Sequence, residues 1–365
     1  MSQPTVAIVG AGHAGVEAAF ALAQAGAAVT LFSAEPGLPY FRPRLIAVAF
    51  GQAEPDAIAI KPQKAYDDAG IALRHEPATA VDPAARTVNG QAFDGLVVAT
   101  GSHPFVPPFK GERARARTLW TLADALAIRE AAAPGKALTV IGGGVLGLEA
   151  ALRAAQAGLR VTVVESAPFL VGGALGDCEA TLRRALEAKG IALSVGVAVA
   201  EIAPDGLALA DGRVLPDDLL LCSTGARPNG PAAGQQGYLK TRGDLSIAPC
   251  AYAAGDPAEP PADRPTCSVR RAQLMGQLAA KNLLAELAGQ PTQPWAAPRL
   301  PLFMKVGDVE FHTLGDVRSP GLLEKCLEDT PPFVRKTILR RADQIVGLRW
   351  VGTRAGFADW EKQLA

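Results

Sequence analysis

The chain has 365 residues, of which 49% are apolar, and its 36 basic residues balance 36 acidic ones. This balance argues against general binding to nucleic acid or to an anionic membrane surface. No apolar run approaches the roughly 18 residues that a membrane span needs. A chain of this length predicts two or three domains, and an N-terminus without a signal-type stretch predicts a cytoplasmic protein.

The cysteines and histidines are few, and their spacing does not resemble a set of metal ligands. Five cysteines and four histidines are scattered along the chain, without a C-x-x-C or other close pair. We therefore expect no metal or iron–sulfur site and no local redox disulfide. The cysteines, expected to be reduced thiols, are Cys178, Cys222, Cys250, Cys267 and Cys326.

The N-terminal segment predicts a strand, a glycine-rich turn, a helix and a second strand. The apolar run 5–9 precedes the turn Gly10-Ala11-Gly12-His13-Ala14-Gly15, and an alanine-rich helix over 14–25 leads to a strand over 29–32. In such a turn the first glycine permits a tight bend, the second lets the backbone approach a pyrophosphate, and the third lets the helix pack closely. The segment therefore predicts a dinucleotide site.

A second copy of this pattern lies in the middle of the chain. Strands predicted over 137–141 and 160–165 flank the turn Gly142-Gly143-Gly144-Val145-Leu146-Gly147 and its helix. Both halves also end on an apolar strand that closes with Thr-Gly, at Ala99-Thr100-Gly101 and at Thr224-Gly225. A chain with two such sites is expected to hold two dinucleotides and to move hydride or electrons between them.

An acidic residue about 20 positions after the glycine turn binds the adenosine ribose hydroxyls. Glu165 ends the strand after the second turn, where its carboxylate would bind a free 2′-hydroxyl and repel a 2′-phosphate. We therefore predict NADH rather than NADPH, the alternative being a solvated glutamate at a strand end. After the first turn the strand ends on Ser33, and the acid is displaced to Glu35.

The rest of the pattern predicts an α/β fold: two Rossmann-like dinucleotide-binding domains and a small C-terminal α+β domain. Residues 1–107 and 230–295 are predicted to form the first domain, 108–229 the second and 296–365 the last. The remaining predicted strands cover 72–74, 87–88, 191–195, 302–306, 337–339 and 345–351, together with the segments 95–101 and 219–225 that end in Thr-Gly and the segment 251–256 that ends in Gly-Asp. The remaining predicted helices cover 177–189, 269–288 and 355–364.

Six motifs in order resemble the FAD-dependent pyridine nucleotide–disulfide oxidoreductases. They are the two glycine turns, Pro39-Tyr40-x-Arg42-Pro43, Ala99-Thr100-Gly101, Thr224-Gly225-x-Arg227-Pro228-Asn229 and Ala254-Gly255-Asp256. Within that family the whole chain is most similar to the NADH:rubredoxin reductases and to the flavin-binding part of nitrite reductase large subunits. The resemblance implies a glutathione-reductase-type fold, FAD in the first domain, NADH in the second, and a C-terminal module packed against the FAD domain.

The resemblance also implies roles for individual residues. Asp256 would bind a ribityl hydroxyl of FAD, Arg42 would lie beside the FAD pyrophosphate, and Glu149 would contact the nicotinamide carboxamide. The plainer alternatives are a turn-capping aspartate, a surface arginine and a helical glutamate. Arg270 and Arg271, at the start of the helix 269–288, would face the flavin pyrimidine ring or belong to a solvated face. The pattern places further contacts at Gly10, Gly12, His13, Ala14, Gly15, Pro43, Gly142, Gly144, Val145, Leu146, Gly147, Gly225, Arg227 and Gly255.

The chain departs from the family pattern at two places. No cysteine pair occurs between Phe41 and Gly51, so electrons would not pass through an internal dithiol. The lysine that the rubredoxin reductases pair with the residue matching Glu149 is Ala47 here. Arg44 or Lys61 would have to replace it as the catalytic cation, because an unpaired carboxylate near the flavin is costly.

The function implied is an FAD enzyme that passes electrons from NADH to a small carrier protein such as rubredoxin, as a monomer or homodimer. Two basic groups, Arg113 to Arg117 and Arg335 to Arg341, would dock an acidic carrier or form solvated faces. The alternatives are an NADH oxidase or quinone reductase, a dedicated subunit of a larger reductase, and a flavin-bearing sensor that turns over slowly.

Overall fold

The computed structural model describes residues 3–261, 263, 266–330 and 332–364. The chain forms two compact units, each built from three segments. The first unit comprises residues 1–42, 54–103 and 226–298, and the second comprises 43–53, 104–225 and 299–365. The C-terminal residues are thus grouped with the second dinucleotide segment. The short segment 43–53 also joins the second unit, which nothing in the sequence indicated.

The first unit is organised around a six-stranded sheet. Five of its strands are parallel, and the edge strand Ser246–Ala248 is antiparallel to its neighbour. Strand Thr5–Val9 lies between Ala28–Phe32 and Gly95–Val98, so the strand order reverses beside it. The helices His13–Gln24 and Val269–Leu287 pack tightly together on this sheet. They approach so closely that a Cβ at Gly276 would overlap the carbonyl oxygen of Ala14. In spatial order the strands are Ser246–Ala248, Ala251–Ala253, Gly95–Val98, Thr5–Val9, Ala28–Phe32 and Ala72–Arg74.

The predicted repeat is confirmed in the second unit, which contains a five-stranded parallel sheet of the same design. Its strands, in spatial order, are Ala116–Arg117, Leu219–Cys222, Ala137–Ile141, Arg160–Glu165 and Ile191–Val195. Strand Ala137–Ile141 occupies the central place that Thr5–Val9 takes in the first unit. A four-stranded sheet covers this domain, with the strands Val214–Leu215, Gly206–Leu209, Val199–Ala203 and Lys110–Gly111.

The C-terminal module is an antiparallel five-stranded sheet with one short helix, Phe357–Glu361. Its core is formed mainly by buried apolar side chains of the last strand and helix, among them Leu348, Trp350 and Phe357. In spatial order the strands are Leu302–Val306, Val309–Gly315, Gln344–Val351, Val334–Arg341 and Leu323–Thr330. The second and fifth of these were not predicted as strands.

The remaining elements are short connections. The other helices are Leu45–Ala49, Gln63–Asp68, Leu122–Ala131, Val145–Gln156 and Glu179–Glu187. The other strands are Val81–Asp82, Thr87–Val88, Gln91–Ala92, Ser102–Pro104, Ala226–Pro228, Leu239–Lys240 and Ala258–Glu259. Among the described residues, no helix is both long and apolar enough to cross a bilayer.

Candidate dinucleotide sites

The first glycine turn lies where three adjacent parallel strands end. Gly10 follows strand Thr5–Val9, while Ala99-Thr100-Gly101 and Gly255-Asp256 follow the two neighbouring strands. A Cβ at Gly10 would overlap the Ala99 carbonyl, and a Cβ at Gly15 would overlap the Gly10 carbonyl. Both positions therefore require glycine, and the tight turn brings the helix N-terminus to the edge where α/β sheets bind ligands.

The geometry at Gly12 fits a phosphate-bearing cofactor. Gly12 is the N-cap of helix His13–Gln24, and a Cβ there would meet open space. No side chain caps this helix, and its first turn has no acidic residue. By contrast, Thr121 and Ser268 cap the helices that follow them with their own hydroxyl groups. The first amides of His13–Gln24 are thus left for an external anion such as a pyrophosphate.

Glu35 and Arg42, both predicted cofactor contacts, form an ion pair. The Arg42 guanidinium lies 3.1 Å from Glu35 Oε1, and the Tyr40 hydroxyl donates to Glu35 Oε2. The buried Ser33 hydroxyl donates to the Glu35 carbonyl at 2.8 Å, which holds the displaced acid at the strand end. Arg42 also begins a short turn, Arg42–Arg44, that includes Pro43. Tyr40 belongs to the motif Pro39-Tyr40-x-Arg42-Pro43 but was not among the predicted cofactor contacts.

His13 is a half-buried imidazole at the start of the first helix. Its Nε2 atom is buried without a hydrogen-bond partner, and its ring packs edge-on against Phe41. Burial, and after it the positive charge of Arg42, lowers the His13 pKa, while Glu17 and Asp256 act in the opposite direction. The ring is therefore neutral at pH 7 and has a free hydrogen-bonding position beside the candidate phosphate site.

Asp256 is held by a residue that sequence reasoning missed. The Ser102 hydroxyl donates to Asp256 Oδ2 at 2.5 Å. Nearby, the Thr100 hydroxyl donates to the carbonyl of Gly230 at 2.9 Å, and the Asn229 side-chain amide donates to the Thr100 carbonyl at 2.8 Å. These bonds tie the Ala99-Thr100-Gly101 turn to the returning chain. The sequence contained a signal for the Asn229 bond, since Asn229 is the last residue of the motif Thr224-Gly225-x-Arg227-Pro228-Asn229.

Arg271, one of the predicted flavin contacts, is buried among partners from the protein itself. Arg271 is 2% exposed and pairs with Asp263 at 2.9 Å, and its Nη1 atom donates to the Gly255 carbonyl at 3.3 Å. Its guanidinium also lies over the Trp295 ring. Because these partners occupy the cation, Arg271 supports the Gly255-Asp256 turn from within the protein. Its neighbour Arg270 is exposed.

The second glycine turn reproduces the first. A Cβ at Gly142 would overlap the Ser223 carbonyl, and a Cβ at Gly147 would overlap the Gly142 carbonyl. Gly144 is the N-cap of helix Val145–Gln156, has open space at its Cβ position, and receives no side-chain cap. Of the next two residues, Val145 is half-buried and Leu146 is 47% exposed. The residues present fit a second dinucleotide phosphate.

Glu165 lies directly against this turn. Its Oε2 atom accepts the Gly143 backbone N–H at 2.8 Å, and its Oε1 atom accepts the Ala167 N–H at the same distance. The carboxylate is thereby fixed at the strand end beside the turn, where a ribose of the bound nucleotide is expected. Gly225, at the end of the neighbouring strand, has a φ of 108°, which favours glycine. Arg227 follows it in an exposed position of strand Ala226–Pro228.

The cation that acts on Glu149 is Arg153, one helical turn further along the same helix. Burial raises the Glu149 pKa, and the charge of Arg153 opposes this. Arg153 itself donates to Gln52 Oε1 at 3.0 Å. Lys61, predicted as the replacement for the missing lysine, lies over the Phe20 ring instead. Arg44 is exposed at the start of helix Leu45–Ala49, and its catalytic role stays a prediction.

Several cations of the two basic groups, Arg113 to Arg117 and Arg335 to Arg341, form ion pairs. Arg115 pairs with the buried carboxylate of Asp217 at 2.5 Å, and Arg335 pairs with Asp177 and Asp329. Lys336 pairs with Glu328 at 2.7 Å. These cations are therefore poorly placed to supply the charge of a docking surface. In the described part of the chain, all five cysteines are free thiols, and no cluster of acidic, histidine or cysteine side chains could hold a metal ion.

Most of the chain is similar in sequence to known proteins. Residues 4–275 match the family model described as pyridine nucleotide-disulphide oxidoreductase. A nitrite reductase [NAD(P)H] from Bacillus subtilis is 30% identical over 95% of this chain, which spans only 45% of that protein. The ferredoxin–NAD(+) reductase component of a biphenyl dioxygenase system from Paraburkholderia xenovorans is 30% identical over 87% of this chain and 82% of its own length.

A solved structure covers the whole chain. The crystal structure of the covalent putidaredoxin reductase–putidaredoxin complex superposes with a TM-score of 0.85, at 26% identity, over 100% of this chain and 93% of its own. The comparison includes the C-terminal module, which lies beyond the region matched by the family model. The predicted fold class, with two Rossmann-like domains and a C-terminal domain, is thereby confirmed.

Proposed function

This chain belongs to the pyridine nucleotide-disulphide oxidoreductase family, and from that premise we propose that it is an FAD-containing reductase that uses NADH to reduce a small electron-carrier protein. FAD binds at the turn Gly10 to Gly15, and NADH binds at the turn Gly142 to Gly147. The bound flavin supplies the chemistry, since it takes up two electrons from a nicotinamide and releases them singly. The protein supplies binding and orientation.

The observation that carries this proposal is the presence of two equivalent glycine turns, each leading into a helix without a side-chain cap. Gly10 and Gly142 meet the carbonyls of Ala99 and Ser223 in the same way, and each begins a turn that leads to a helix capped only by glycine. A single site of this kind would fit one nucleotide cofactor. Two such sites in one chain support a reaction between two dinucleotides.

The choice of NADH rests on Glu165. Its carboxylate faces the Gly143 amide at the strand end, and a 2′-phosphate brought to this place would meet its negative charge. At the first site the carboxylate of Glu35 would repel a 2′-phosphate less strongly, because it is already paired with Arg42 and Tyr40. We infer that the first turn takes the cofactor that stays bound and the second the one that exchanges.

The proposed acceptor is an iron–sulfur carrier of the ferredoxin type, with rubredoxin as a narrower candidate. Several relatives are named as reductases of ferredoxin or terpredoxin. The cysteines of this chain favour an external acceptor, because the exposed Cys267 and Cys326 are far apart in sequence and neither is bonded to another cysteine. A role as one part of a larger reductase also has support, since this chain spans under half of the nitrite reductases it matches.

Anaerobic stopped-flow spectroscopy of the FAD-loaded protein tests the proposal. We expect NADH to bleach the flavin absorbance within about a second, and a ferredoxin or rubredoxin to reoxidise it. Rapid oxygen or quinone consumption without a carrier would instead identify an oxidase or quinone reductase. Bleaching over minutes would favour the sensor, and protein that binds no FAD when supplied with it would refute the proposal.

A further inference from the structure

Within the second glycine turn, Gly143 is held from outside the turn through both its N–H and its carbonyl. Its N–H donates to Glu165 Oε2 at 2.8 Å, and its carbonyl accepts the Val171 backbone N–H, also at 2.8 Å. Because a trans peptide is planar, fixing the Gly143 carbonyl also fixes the direction of the Gly144 N–H on the opposite side of the same peptide unit. That N–H belongs to the N-cap of helix Val145–Gln156, where the nucleotide phosphate is expected.

Val171, whose N–H donates to the Gly143 carbonyl, has a backbone conformation that is unfavourable for valine. Its φ is 53°, in the left-handed region that a β-branched residue rarely adopts, and its side chain is 4% exposed. The next two residues, Gly172 and Gly173, also have positive φ angles but are glycines. A strained residue of this kind persists only where its surroundings hold it, and such strain is typical of ligand sites.

The groups that hold Val171 come from the C-terminal module. Arg318 donates through Nη2 to the Val171 carbonyl at 3.2 Å and through Nε to the Gly172 carbonyl at 3.0 Å. The turn that carries Arg318 is fixed by Asp316, which accepts the backbone N–H groups of Arg318 and Ser319 at 3.3 Å and 3.0 Å. The guanidinium therefore reaches the loop from a well-ordered position.

A second arginine clamps the same two segments. Arg349 is 6% exposed and donates through Nε to the Ala174 carbonyl at 3.2 Å. Its Nη2 atom donates to the Val317 carbonyl at 2.7 Å, one residue before Arg318. The loop after Glu165 is thus joined to the module at both ends of the strained stretch.

We propose that Arg318 is a positioning residue for the NADH site, acting through Val171 on the Gly143–Gly144 peptide. The C-terminal module then serves the affinity of the second dinucleotide site in addition to any contact with an acceptor. This inference rests on the proposed function, because it requires the second turn to bind NADH. It predicts that the loss of Arg318 weakens NADH binding and leaves FAD binding unchanged.

The test compares Arg318→Gln with Arg341→Gln. Arg341 pairs with Asp316 at 2.7 Å on the same turn but has no bond to the Val171 loop, so it is a matched control. We expect Arg318→Gln to raise the Kd of NADH about tenfold, by calorimetry on protein with FAD bound, and the Kd of FAD by less than about twofold. The limiting rate of flavin reduction at saturating NADH should stay the same, so that KM changes and kcat does not.

Hydrogen exchange gives a structural readout that does not depend on activity. Amides of residues 142–147 should exchange faster in Arg318→Gln than in Arg341→Gln, both without NADH. If Arg318→Gln does not fold, Arg318→Lys, which keeps one donor, should show the same two effects at smaller size. An unchanged NADH Kd, or an equal loss of FAD affinity, would overturn the inference. Failure of the wild-type protein to bind NADH would instead refute the proposed function.

Discussion

Glu165 accepts the backbone N–H of Gly143 at 2.8 Å, which joins the end of strand Arg160–Glu165 to the glycine turn that follows the neighbouring strand Ala137–Ile141. The carboxylate is therefore already oriented before a nucleotide arrives. This arrangement gives Glu165 two effects on the second site: it fixes the turn, and it presents negative charge where a ribose hydroxyl is expected.

Replacing Glu165 with Ala should narrow the preference for NADH over NADPH. The variant loses a charged acceptor for the ribose hydroxyl, so we expect the KM of NADH to rise about tenfold. The KM of NADPH should change by less than about threefold, because the repulsion of its 2′-phosphate disappears. Steady-state kinetics with both nucleotides measures the ratio, with Glu187→Ala as an exposed control on the helix Glu179–Glu187. An unchanged ratio would remove the assignment of Glu165.

Glu149→Gln should stabilise the protein without FAD at neutral pH and leave it unchanged in acid. Burial raises the Glu149 pKa in the folded state, so folding stability falls as the pH rises from the ordinary glutamate pKa towards the raised one. The variant should melt about 2 °C higher at pH 8, and the gap should vanish below about pH 4. Thermal melts across this range test the expectation, with the exposed Glu130→Gln as control. A gap that is constant with pH would contradict it.

The glycine turns were predictable because steric contacts at each turn exclude every side chain larger than that of glycine. The overlap of a Cβ at Gly10, Gly15, Gly142 or Gly147 with a backbone carbonyl leaves only one residue type, so the pattern is written in the sequence. The contact between Arg318 and the Val171 loop is different. It joins residues 147 positions apart through backbone carbonyls, which every residue carries, and therefore leaves no pattern to read.

The strand Leu323–Thr330 was missed for another physical reason. Its residues are exposed at nearly every position, so apolar and polar residues do not alternate along it. Its conformation is set by pairing with the strand Val334–Arg341, a tertiary effect that local propensity does not contain. The burial of Arg271, by contrast, had a signal. It shares a helix face with the buried Met275 and Ala279, at a spacing of four residues.

Arg271→Met should destabilise the protein by about 2 to 4 kcal/mol, because it leaves the Asp263 carboxylate partly buried without its cation. Urea unfolding measures this loss, and the exposed Arg270→Met should cost less than about 0.5 kcal/mol. Adding Asp263→Asn to Arg271→Met should restore part of the stability, since the unpaired charge is removed. If Arg271→Met instead lowered FAD affinity at unchanged stability, the arginine would be a ligand contact after all.

His13→Gln should make the protein without FAD less sensitive to mild acid. Burial and the charge of Arg42 lower the His13 pKa in the folded state, so the unfolded chain binds the proton more readily. Folding stability in the wild type therefore falls as the pH drops below about 6.5, and glutamine removes this contribution. Unfolding in urea at pH 7.5 and 5.5 should show a smaller loss of stability for His13→Gln than for the wild type. The exposed His75→Gln serves as the control in the same unit and should follow the wild type. Equal losses in all three proteins would mean that His13 ionises as freely in the folded state as in the unfolded chain.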